Sequence, residues 1–167
     1  EWEASEQGQI NAQTPLVSIT KIGESDPIPL PQGERPLSGL RVLSMVHAVA
    51  GPCCPRTLAG QGADCLNINM PDWIEYGNFF FQADVGIRQA YLDARKTENR
   101  KHVYDLIKDA DVFVDNLRPG VVDGEGYSAQ ALAERKPGII TCSVKLMAHR
   151  GPWSHWPGFD INGHGLT

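Results

Sequence analysis

The stretch Pro36–Pro71, PLSGLRVLSMVHAVAGPCCPRTLAGQGADCLNINMP, decides the fold. Leu40 to Val46 is almost continuously apolar, which suits a strand covered on both faces by helices better than one with a wet side. Gly51-Pro52 then punctuates the chain, because glycine frees the backbone to turn and proline presets a φ that fits the first turn of a helix. A helix is predicted from about Pro52 to Ala59, ending at Gly60 or Gly62, with a second strand over Cys65 to Ile68. The pattern is one βαβ unit of a parallel sheet. Such sheets hold ligands beyond the carboxyl ends of their strands, so the junction His47-Ala48-Val49-Ala50-Gly51-Pro52 is the first candidate site. The unpaired N–H groups and positive dipole end of the helix there suit a phosphate, a carboxylate or a thioester oxygen.

The rest of the chain extends this reading. Strands are predicted over Gln89–Leu92, Asp111–Asn116 and Ile139–Val144, with helices over Glu98–Ala110 and Ala129–Arg135, the latter capped by Ser128. Strands alternating with helices of this length give an α/β architecture, a Rossmann-like parallel sheet flanked by helices. No GxGxxG follows a strand, so the dinucleotide fingerprint is missing. Asp72 to Asp84 is rich in aromatics (Trp73, Tyr76, Phe79, Phe80, Phe81) without clean periodicity, and reads as a loop or short helix under which an acyl or adenine group could lie. Residues 1–35 differ in character from the rest of the chain. They are polar and carry Pro27, Pro29 and Pro31 at close spacing, which predicts an extended arm or connector, with one short strand over Leu16–Ile22.

Composition excludes several classes. The chain has 15 basic and 20 acidic residues, a net charge of −5, and no basic run, which argues against nucleic acid as a partner. No apolar run approaches the roughly 20 residues of a membrane-spanning helix. Cys53, Cys54, Cys65 and Cys142 show neither disulfide nor zinc spacing and read as small apolar residues of a reduced, cytoplasmic protein. His149, His155, Asp160 and His164 match no stereotyped metal motif, so no metal is expected.

Three motifs carry a resemblance. PLSGLRVL with HAVAGP and LAGQGAD, then ADVFVDNLRPGVVDGEGYS, then GPWSHWPGFDINGHGLT, occur in an order that resembles the family III CoA-transferases, whose relatives include formyl-CoA and carnitine CoA-transferases and α-methylacyl-CoA racemase. The resemblance covers about residues 36–167. It implies that coenzyme A enters as an acyl-CoA substrate, that CoA passes to a carboxylic acid, and that the full protein is an interlocked homodimer. It also implies that residues 36–167 are an incomplete portion of the family's large domain. The HAVAGP turn, His47 to Pro52, would lie near the pantetheine, and Asn116-Leu117 would match an Asn-aromatic pair whose backbone runs along it. Arg88 and Arg118, with Lys145 or backbone N–H groups, are the phosphate candidates, since guanidinium offers forked donors. Met70, Gly124 and Pro157 stand where relatives carry basic residues.

Phe159-Asp160 stands where the racemases have His-Asp. Phe159 cannot take a proton, which favours transfer over racemisation. Asp160 is at most a supporting residue. The aspartate that forms the covalent intermediate in the transferases would lie beyond Thr167, so the chain is expected to be a piece of a longer protein. An acyl-CoA isomerase, racemase or lyase on the same scaffold, and a non-catalytic descendant that binds an acyl ligand or a partner chain, are the alternatives.

Overall fold

Five strands run parallel in one sheet: β1 (Arg41–Met45), β2 (Asp64–Asn69), β3 (Arg88–Tyr91), β4 (Val112–Asp115) and β5 (Ile140–Ser143), side by side in the order β3-β2-β1-β4-β5. Among the described residues seven helices accompany them: α1 (Glu6–Gln13), α2 (Ala50–Gly60), α3 (Gly77–Ala83), α4 (Thr97–Lys108), α5 (Val121–Gly124), α6 (Ala129–Arg135) and α7 (Asp160–His164). This computed structural model describes residues 1–30, 32–73 and 77–165, without the side chains of Phe79 and Phe80. Pro31 and Tyr76, and the side chains of Phe79 and Phe80, therefore lie outside what is described.

The strand pattern explains the two-sided core. Leu43 and Met45 of β1 point to one face with Ile68 and Phe113, where Val103 and Ile107 of α4 and Leu132 of α6 cover them. Val42 and Val46 point to the other face with Cys65, Val112 and Val114, under Cys54, Leu58 and Ala59 of α2. Both faces are buried, so β1 and β4 are apolar at successive positions rather than alternating. Burying each such side chain contributes about 1.5–3 kcal/mol. The α/β fold read from Pro36–Pro71 is therefore the fold of the protein.

Three local expectations differ from the structure. Leu16–Ile22 forms no strand. Leu16, Val17 and Ile19 are exposed, and an alternating pattern without a neighbouring strand has no ladder to join. The arm is also not extended throughout, because residues 6–13 form α1, capped by the Ser5 hydroxyl accepting from the Gly8 N–H. Its anchor is Gln7, buried and bonded to the Arg150 carbonyl (3.1 Å) and the Trp153 N–H (2.9 Å). Finally α2 begins two residues before Pro52, at Ala50. No helix among the described residues is long and apolar enough to cross a membrane.

Candidate functional site

A parallel sheet brings every strand's carboxyl end to one edge, and here two asparagines build that edge. The Asn67 amide donates to the Val46 carbonyl (3.0 Å) and accepts from the Val46 N–H (3.1 Å). The Asn116 amide does the same for the next residue, donating to the His47 carbonyl (2.9 Å) and accepting from the His47 N–H (3.0 Å). A primary amide carries the donor and acceptor of a peptide group, so these side chains continue the ladder where the neighbouring main chains have diverged. Asn67 comes from β2 and Asn116 follows β4, so the corner is gripped from both sides.

The backbone turns immediately after the second grip. Ala48 has φ of 62°, the left-handed region that side chains other than glycine rarely adopt. Two residues later α2 begins, with Gly51 against the Asn116 amide. A Cβ at Gly51 would collide with that amide, so glycine is required by close approach. Val49 and Ala50 are exposed, whereas Gly51 and Pro52 are buried. The His47 ring packs on Trp73, centroids 4.8 Å apart, which brings the β2 loop to the same corner.

A buried ion pair sits beside the Asn116 bend. Lys145, just past β5, donates through Nζ to Asp115 Oδ1 (2.5 Å) and to the Leu117 carbonyl. The same Asp115 oxygen accepts from the Leu117 N–H (3.2 Å). The Lys145 and Asp115 side chains are only 8% and 9% exposed. Leu117 directs its own side chain into the core, leaving its backbone at the rim. Arg118 is exposed in the same bend, and its carbonyl accepts from the Val121 N–H (3.1 Å).

Other candidates fall elsewhere. Arg88 is the first residue of β3, at the amino edge, where its guanidinium forks onto the Asp64 carboxylate (2.7 and 2.8 Å) at the start of β2. The strand's length separates it from the corner, which lies at the opposite edge. Lys145 is at the right edge but is occupied by Asp115 and Leu117. Phe159 and Asp160 open α7, both exposed, and the Phe159 N–H donates to Asn162 (2.8 Å) within its own turn. Among the described residues no group of three or more His, Cys, Asp or Glu could hold a metal ion.

The sequence reading missed Asn67 and the occupation of Lys145. Asn67 and Asn69 were visible as polar residues inside an otherwise apolar strand, and both are buried in an amide ladder with Gln89. Such residues survive burial only when hydrogen-bonded. That demand was the available signal.

Comparison with known proteins bears on the same residues. The model of CoA-transferase family III matches residues 37–167. The acetyl-coenzyme A transferase nodX of Hypoxylon pulicicidum is 33% identical over 96% of this chain and 29% of its own length. A formyl-CoA:oxalate CoA-transferase of Afipia carboxidovorans is 31% identical over 65% of this chain and 28% of its own. A CAIB/BAIF family protein from Brucella suis superimposes with a TM-score of 0.71 at 29% identity, over 79% of this chain and 39% of that one. The chain spans about a third of the length of the curated relatives it matches.

Proposed function

Since the chain belongs to CoA-transferase family III, we propose that its protein transfers CoA from an acyl-CoA donor to a carboxylic acid, and that the His47–Pro52 corner and the Asn116–Arg118 bend hold the pantetheine arm. The supporting observation is the pair of hydrogen bonds between the Asn116 amide and the His47 backbone, which fixes the corner and the bend on one rim. The exposed Val49 and Ala50 leave the corner open to such an arm, and the exposed Arg118 is the side chain placed to meet a phosphate. Relatives named for formyl-CoA and oxalate, acetyl-CoA and oxalate, and succinate and glutarate favour small carboxylic acids as acceptors.

The chemistry we propose is covalent. An aspartate carboxylate attacks the donor thioester carbonyl and expels CoA thiolate; the thiolate then attacks the mixed anhydride at the aspartyl carbonyl, releasing the donor acid and leaving an aspartyl-CoA thioester. The acceptor carboxylate attacks that thioester and the cycle reverses to give the new acyl-CoA. Asp160, exposed in the first turn of α7, is not assigned this part; the nucleophile is expected downstream of Thr167, and the working unit to be a homodimer. Racemisation lacks a base at Phe159.

The test is made on the full-length protein incubated with acetyl-CoA and either oxalate, succinate or glutarate. Formation of the acceptor's CoA thioester with release of acetate is expected. Absence of both CoA binding and exchange for every pair would overturn the reading.

A further inference from the structure

We propose that Lys145 is a positioning residue for the pantetheine-holding rim, acting through the Asn116–Leu117 bend rather than by touching the phosphates of CoA; the inference rests on CoA binding at that rim. Three observations carry it. The ammonium is buried, and two of its donors go to Asp115 and to the Leu117 carbonyl. Asp115 in turn accepts from the Leu117 N–H, so both polar groups of the Leu117 backbone are bound to one ion pair. Asn116, the residue between Asp115 and Leu117, grips both polar groups of the His47 backbone. Five hydrogen bonds therefore link the chain just past β5 to the corner that opens α2.

A cation held this way is poorly placed to meet a solvated phosphate. Reaching one would strand Asp115, a buried carboxylate, without its partner, and a broken buried pair is strongly unfavourable. The geometry suits a different task. The bend has no regular secondary structure to hold it, since β4 ends at Asp115 and α5 begins only at Val121. The Leu117 carbonyl would otherwise be free to rotate, and with it the peptide that presents the rim. Lys145 fixes that carbonyl from the neighbouring strand, and preorganisation of this kind lowers the ordering cost of binding.

The experiment uses the full-length protein and calorimetric titration with CoA and with pantetheine, which carries the same arm without any phosphate. Lys145→Met keeps the methylene stem and removes the charge. Because it leaves Asp115 unpaired and can compromise folding, the decisive variant is Lys145→Met with Asp115→Asn, which removes both charges and retains an acceptor for the Leu117 N–H. The double variant is expected to melt close to wild type and to bind CoA about tenfold more weakly. Its stoichiometry should be unchanged, with the same factor lost for pantetheine.

Three results would overturn the assignment. Unaltered affinity for both ligands would show that the bend does not depend on Lys145. A loss confined to CoA, with pantetheine unaffected, would make Lys145 a direct phosphate contact. Reduced stoichiometry at unchanged affinity would mark a purely structural role. Failure of the wild-type protein to bind either ligand would instead sink the CoA-binding reading itself.

Discussion

The Ala48 backbone concentrates the local cost of the site in one residue. An alanine at φ of 62° lies in a region that disfavours any Cβ by about 1–2 kcal/mol, and such strain persists only where the surroundings over-determine it. The surroundings here are the two asparagine grips just before it and α2 just after. Ala48→Gly removes the steric cost and adds some unfolded-chain entropy, so a gain of about 1 kcal/mol is expected, seen as a melting temperature about 2–4 °C higher. Ala48→Val should lower it by at least as much, because branching at Cβ worsens the clash. Equal melting temperatures for the three proteins would show that the turn relaxes freely. Asn116→Ala is the complementary change. It removes the hydrogen bonds that the Asn116 amide makes with both polar groups of the His47 backbone, for a loss of roughly 1–3 kcal/mol. In the full-length protein, CoA affinity should fall with it.

Elements show how much was readable in advance. The βαβ unit, the helix capped by Ser128 and the strands at β4 and β5 follow from apolar runs and punctuation, because burial and turn chemistry are local properties. Arg88 illustrates what is not local. Its residue type suits phosphate, yet one position at the start of β3 puts it at the amino edge with Asp64 opposite. Lys145 illustrates the same limit, since its partner is 30 residues away and only the β4–β5 register brings them together. The corner and the bend could be assigned to one edge from topology alone, but the amide grips that join them needed coordinates.

The meeting of α2 with β5 has a chemical signature of its own. Cys54 and Cys142 pack against the same apolar cluster, and their thiols are hydrogen-bonded. Donation from Cys54 draws the Cys142 thiol down to about 7, while the same bond and burial push Cys54 up. The sign follows from proton counts. Above about 7 the folded pair holds one proton where the unfolded chain holds two, so the pair's contribution to stability grows as pH rises towards the ordinary thiol value of 9.0. Beyond that value the unfolded chain loses both protons and the contribution declines. Cys54→Ala removes the donor, and alkylation of Cys142 by iodoacetamide at pH 7 should slow by on the order of tenfold. An unchanged rate would mean that Cys54 does not stabilise the Cys142 thiolate.

At the scale of the molecule, the two ends of the chain are fastened to each other. Gln7 of α1 bonds to Arg150 and Trp153, 143 and 146 residues away, and Asn11 reaches Ala148 across 137. Around this polar anchor, Trp2 packs on Trp153 (5.4 Å between centroids) and Trp153 stacks on Trp156 (4.9 Å, 5° between planes). Gly151 holds φ of 101° beneath the Gln7 amide, where a Cβ would collide with it. The segment so anchored, residues 147–153, continues directly from Lys145 at the carboxyl edge. α1 is therefore a brace for the loop behind the rim. Gln7→Ala removes the buried hydrogen bonds and leaves a cavity, for a combined loss of roughly 2–4 kcal/mol. Tryptophan fluorescence should shift to longer wavelength as Trp153 and Trp156 gain water. The rim itself, built from β1, β2 and β4, should remain, so protection of the His47 and Val46 amides from hydrogen exchange is expected to stay close to wild type. Loss of that protection together with the fluorescence change would mean that the brace and the rim form one cooperative unit, against the two-part organisation the contacts describe.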